Sequence, residues 1–172
     1  MKEEEKNKLD KLRWELERKQ KQLRLNDKLK LFLTDDKYKF LSFEESDRIQ
    51  LASDDWPDNK WKDFLYFQTA IQNKNVIDNI VQRYTDTNKS DSVLIFSMNF
   101  NFGLVEISNK TLNNYWSDLI EVDGDEILCL QRNDSGFICI EKTEDNIVGD
   151  EKGRQWLYEI TFSNADIKNK LL

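Results

Sequence analysis

The feature that most constrains this chain is a change of hydrophobic period near residue 90. Before it the apolar residues recur at helical spacing; after it they fall into short runs of the strand type. Residues 2–33 contain no Gly or Pro and carry Leu9, Leu12, Leu16, Leu23, Leu29 and Leu33, which predicts one long amphipathic helix with a break near Asn26-Asp27. Leu9, Leu16 and Leu23 repeat every seven residues, but the companion row runs Leu12, Lys19, Asn26, Leu33. That interruption argues for packing on the body or projecting from it rather than a lasting coiled coil, and it leaves homo-oligomerisation through residues 1–33 open.

Ser42-Phe43-Glu44-Glu45 has the spacing of a capping box and predicts a second helix running to about Ala52. Asp54-Asp55-Trp56-Pro57-Asp58-Asn59 ends it, because the only proline of the chain pushes Trp56 out of helical geometry. Trp61, Phe64, Leu65, Gln68 and Ile71 then predict a helix restarting near Asn59, and Val76, Ile77, Ile80, Val81 and Tyr84 continue it or begin another. Past the polar loop Thr85–Ser90, strands are expected at Val93–Met98 and Leu104–Ile107 around a turn or bulge at Asn99–Gly103. A short helix is expected over Thr111–Ile120. Glu126–Gln131 and Phe137–Lys142, joined by Asn133-Asp134-Ser135-Gly136, form the clearest hairpin signal. A strand at Trp156–Phe162 and a short helix at Asn164–Leu172 complete the reading.

The expected fold class is therefore α+β: N-terminal helices packed on a C-terminal antiparallel sheet of about four to five strands. Residues 1–33 form the charged helix, and residues 34–172 one domain with a helical half (42–85) and a β-rich half (91–163). At 172 residues one hydrophobic core is expected. No apolar stretch approaches the roughly 20 residues a bilayer requires, and no apolar segment follows the charged Met1–Lys6. A cytoplasmic protein without membrane contact is expected.

The chain has no histidine. That count removes the usual general base, the Ser-His-Asp and Cys-His constellations, and the commonest zinc ligand. Five glycines leave little material for a phosphate loop, and no G-x-x-x-x-G-K-[ST] or G-x-G-x-x-G motif occurs. Cys129 and Cys139, on the two arms of the hairpin, read as buried free thiols; a disulfide would conflict with the absent signal peptide. Asp123, Asp125 and Glu126 flank Gly124 as a hard cation's ligands could, but the EF-hand register is missing, and a solvated turn is the simpler reading. No enzyme activity, no metal and no cofactor are expected.

The charge is unevenly placed. Residues 1–33 hold eleven Lys or Arg against seven Asp or Glu, a net of +4, so the chain's −7 leaves −11 for residues 34–172. Glu121–Glu151 alone holds ten acids against Arg132 and Lys142, a net of −8 in 31 residues. Such a field repels nucleic acid and speeds the approach of a basic protein. Asp123, Asp125, Glu126, Asp134, Glu141, Glu144 and Asp145, with Trp116 as the aromatic anchor, are the candidate partner-binding residues.

The run Tyr115-Trp116-Ser117-Asp118-Leu119-Ile120-Glu121-Val122-Asp123-Gly124-Asp125-Glu126-Ile127-Leu128, with Asn133–Glu141 after it, resembles the C-terminal sheet region of immunity proteins from bacterial polymorphic-toxin systems over about 50 of 172 residues. The resemblance implies a short acidic cytosolic protein that neutralises a cognate toxin, such as a nuclease, by covering its active site. The alternative expectation is a scaffold or assembly protein acting through its N-terminal helix.

Overall fold

Side-chain oxygens start two of the helices. Ser42 Oγ accepts the Glu45 amide at 3.1 Å, and Ser108 Oγ accepts the Thr111 amide at 3.0 Å. Both satisfy amides that a helix start leaves free. In the computed structural model, which describes residues 2–53, 65–87, 90–96, 103–122, 124–131, 136–145 and 155–163, the chain runs α1 (Lys2–Leu29), β1 (Tyr38–Phe40), α2 (Phe43–Ser53), β2 (Leu65–Ala70), a short 3₁₀ turn (Ile71–Asn73), α3 (Lys74–Thr87), β3 (Ser92–Phe96), β4 (Val105–Ser108), α4 (Asn109–Val122), β5 (Glu126–Gln131), β6 (Phe137–Asp145) and β7 (Gln155–Ser163).

The strands form one antiparallel sheet in the order β1-β4-β3-β5-β6-β7-β2. The fold is α+β, with seven strands among the described residues where four to five were expected. Both additions come from the N-terminal half and occupy the sheet edges. β1 is three residues long, too short to leave a periodic signal. β2 lies where a helix was expected: its Leu, Tyr, Phe and Thr suit a pleated surface, and six paired positions with β7, from Leu65↔Phe162 to Ala70↔Leu157, override the helical spacing of Leu65, Gln68 and Ile71. α1 continues through Asn26-Asp27 without a break. The expected elements at residues 59–64 and 164–172, and the turns at 99–102 and 133–135, lie outside the described residues.

Alternation along each strand sends side chains to two different layers. One face carries Ile95, Cys129, Ile138 and Phe162 in one cross-strand row, and Ile127, Ile140 and Ile160 in the next. All are buried under Ile77, Val81 and Tyr84 of α3, Leu112, Trp116 and Ile120 of α4, and Leu25 and Leu29 of α1. The Tyr84 hydroxyl donates to the Cys129 carbonyl at 3.1 Å, which lets a phenol sit fully buried. The opposite face carries Leu94, Leu130 and Phe137 in a smaller cluster with Leu41, Leu104 and, from α2, Ile49. Here Gly103 adopts φ +85°, and the chain leaving it delivers the Leu104 amide to Ser46 Oγ of α2 at 2.9 Å.

α1 is fastened twice. At its C-terminal end Leu25, Leu29 and the following Leu33 enter the main core, and Lys28 Nζ donates to the Val122 carbonyl at the end of α4 at 2.6 Å. At mid-helix Arg18, 3% exposed, donates through both terminal nitrogens to the Asp47 carboxylate of α2 and lies 4.7 Å from the Trp14 ring centre and 4.4 Å from that of Phe43. No helix among the described residues is long and apolar enough to cross a membrane.

Candidate functional site: an acidic row across the sheet

The period of two that builds the core also divides the acidic segment. Glu126 stands directly opposite Glu141, and Glu141 directly opposite Glu159 on β7. Opposite Glu159 on β2 stands Gln68, whose Nε2 donates to it at 3.2 Å. Three carboxylates thus cross three neighbouring strands on the α2 face of the sheet, at the roughly 5 Å spacing of opposed residues. The same face grades along β5 from Glu126 through half-buried Leu128 to buried Leu130, so α2 covers its apolar end, while at the other end Glu141 is exposed and Glu126 and Glu159 are half-buried.

Like charges directly opposed are destabilising, and the neighbours here relieve the row only partly. Glu126 accepts from the Cys139 thiol at 3.3 Å, and Glu159 accepts from Gln68 and, at 3.3 Å, from Thr143. None of the three glutamates forms an ion pair with another described residue. Partial burial, together with the charges of Glu126 and Glu159, holds the Glu141 carboxyl above its ordinary pKa. Partial burial and the Glu159 carboxylate likewise raise the Tyr66 phenol at the sheet edge, where that ring is 55% exposed.

A second acidic group lies on the helix face. Glu144 stands opposite Trp156, and the Asp125 carbonyl accepts the Lys142 amide at 2.7 Å. Lys142 Nζ lies 3.7 Å from Glu121 and 3.8 Å from Asp125, and 5.4 Å from the centre of the Trp156 ring. One lysine therefore serves two of these acids. Asp125 has φ +68°, the left-handed region that Asp tolerates better than most residues, directly after Gly124 at φ +96°. The two left-handed residues turn the chain from α4 into β5, so Gly124-Asp125 has a backbone role.

Of the candidate residues read from sequence, Glu126 and Glu141 fall together on the acidic row, while Asp125 and Glu144 fall on the other face. Asp123 and Asp134 lie outside the described residues, as does the side chain of Asp145. Trp116 is no surface anchor: it is 1% exposed, stacks edge-on against Tyr158 at 5.3 Å, and donates its indole N–H to Asp78 at 2.8 Å. The helical spacing of Leu112, Trp116, Leu119 and Ile120 places it on the buried side of α4. The exposed aromatics among the described residues are Trp14, Tyr66, Phe67 and Trp156. Glu159, which completes the row, went unrecognised because only the pairing of β6 with β7 brings it beside Glu141.

Cys129 and Cys139 are free and project from opposite faces of the hairpin, since Cys129 opposes Ile138 and Cys139 opposes Leu128. That geometry excludes a bond between them. Burial pushes both thiols far above their usual range, with Glu126 adding to the effect at Cys139. Among the described residues no three Cys, Asp or Glu side chains converge on a space suited to a metal ion.

No protein-family model matches this chain, and no curated protein does. The geometry of its own residues must carry any functional reading.

Proposed function

We propose that this chain is an immunity-type binding protein whose acidic sheet face docks on the basic active-site cleft of a cognate toxin domain, most simply a nuclease, and blocks it in the cytosol. The observation that carries the reading is the row Glu126-Glu141-Glu159, an arrangement that costs stability in the free chain and is relieved when a partner supplies cations. Tyr66 at its edge adds an exposed aromatic of the kind that anchors interfaces. The face differs from the one read off the sequence: it keeps Glu126 and Glu141, gains Glu159, and loses Asp125 and Glu144. The reading is of a binding protein and not an enzyme: the Cys139 thiol does donate to the Glu126 carboxylate, but burial keeps it protonated, away from the thiolate a nucleophile needs.

The test is co-expression with the toxic domain encoded beside this chain's gene. Wild type should restore growth and form a complex whose association slows as salt is raised. The triple variant Glu126→Lys, Glu141→Lys, Glu159→Lys should lose both while remaining folded by circular dichroism. Full protection by that folded variant would sink the assignment.

A second reading, an assembly protein working through α1, has an observation of its own in the exposed leucines of that helix.

A further inference from the structure

The heptad leucines of α1 do not face the body. Leu9, Leu12, Leu16 and Leu23 are 56%, 54%, 58% and 62% exposed, whereas Arg18, Leu25 and Leu29 on the same helix are buried. At about 100° per residue the two sets lie on opposite sides of the helix. α1 thus docks by one face and offers a second apolar seam to the surroundings over the roughly 21 Å from Leu9 to Leu23.

The flanks of that seam select its occupant. Lys8 and Lys19 border one side and Arg13 and Arg24 the other; all four are exposed and none is ion-paired to a described residue, and the acids bordering this stretch are two, Glu15 and Glu17. A second copy of the helix is a poor match. Aligned antiparallel about Leu16, it sets Lys8 against Arg24 and Arg13 against Lys19; aligned parallel, it sets Lys8 against Arg13. An anionic bilayer is also a poor match, because the four leucines span only about 60° of the helix and the large aromatic Trp14 faces α2, on the far side from the seam. A narrow seam with basic flanks fits another helix of complementary charge.

We infer that α1 pairs through Leu9, Leu12, Leu16 and Leu23 with an amphipathic partner helix whose apolar seam is bordered by Asp and Glu. The pairing uses no residue of the acidic sheet face, so it holds or fails independently of the toxin-binding proposal. Homo-oligomerisation through residues 1–33 is replaced by association with a different, acidic helix.

Two synthetic 28-residue peptides test this, both with leucine at every a and d position, one with glutamate and the other with lysine at e and g. By fluorescence anisotropy the glutamate peptide should bind the full chain at least tenfold more tightly than the lysine peptide, and should weaken severalfold between 50 and 300 mM salt. Leu9→Gln with Leu16→Gln keeps good helix formers at exposed positions and should abolish binding without loss of helicity. Lys8→Glu, Arg13→Glu, Lys19→Glu and Arg24→Glu together should reverse the preference toward the lysine peptide. The inference fails if neither peptide binds, if both bind equally, if sedimentation shows a dimer that the leucine variant dissolves, or if the chain partitions onto phosphatidylserine vesicles while ignoring the glutamate peptide.

Discussion

Removing one charge should make this protein more stable and less able to bind. Glu141 is the middle member of the acidic row, opposed by Glu126 on one side and Glu159 on the other. Each opposed like-charged pair costs about 0.2–1 kcal/mol, and the exposure of this side chain to water places both pairs in the lower half of that range. Glu141→Gln keeps the shape and removes both repulsions, for a gain of roughly 0.5–1 kcal/mol. In a domain of this size that raises Tm by about 1–3 °C. The pH dependence reports the cost of the charged form, to which partial burial contributes along with the carboxylates of Glu126 and Glu159. The folded chain holds the Glu141 proton more firmly than the unfolded chain, whose ordinary value is 4.5. Wild-type stability therefore falls as pH rises through that value toward the raised one, and the variant escapes the fall. The advantage should be full at pH 7 and vanish near pH 4, where the unfolded group is itself largely protonated. Urea denaturation at both pH values measures it. Glu144→Gln, on the other face with no like-charged row to relieve, should give no gain. A neutral or destabilised Glu141→Gln protein at pH 7, or a gain undiminished at pH 4, would refute the repulsion argument.

Trp116→Ala should cost about 3–5 kcal/mol in urea unfolding, because it empties a core site and strands Asp78 without its indole donor; a loss under 1 kcal/mol would mean the ring is not core. Arg18→Met retains the stem but gives up the paired hydrogen bonds to Asp47, which is itself 40% exposed, so a cost of about 1–2 kcal/mol is expected, with faster amide exchange upstream of Arg18 in α1. Arg18→Lys should restore little of that loss, since an ammonium cannot reproduce the two-pronged contact. At pH 8 neither Cys129 nor Cys139 should react appreciably with iodoacetamide in the folded protein, and both should react in urea; rapid native labelling of Cys129 by mass spectrometry would contradict its burial.

Local chemistry made much of the fold legible. The Ser42 cap, the apolar faces of α3 and α4, the β5–β6 hairpin and β7 all announce themselves within ten or so residues, and each appears where its pattern places it. What escaped depends on contacts distant in sequence. β2 is a strand because β7 lies beside it, and nothing between Leu65 and Ala70 forbids a helix. The acidic segment looked like one surface because charge summed along the chain ignores pleating; the sheet sends Glu141 and Lys142 to opposite layers. The heptad of α1 was visible, but sequence alone did not tell which leucines the body takes. The docked Leu25, Leu29 and Leu33 and the exposed Leu9, Leu16 and Leu23 are equally apolar.

The position of β2 bears on how the protein is made. Among the described strands it is the second to be synthesised and occupies one edge of the sheet, and its sole neighbour there is β7, some 85 residues further along. At roughly 5–20 residues per second that strand emerges and waits on the order of ten seconds before its partner exists. During the interval Leu65, Tyr66 and Phe67 form an unpaired edge of high β-propensity, the kind of segment that recruits copies of itself. Yield of native protein should therefore depend on translation speed and on chaperone supply more steeply than the stability of the finished sheet suggests.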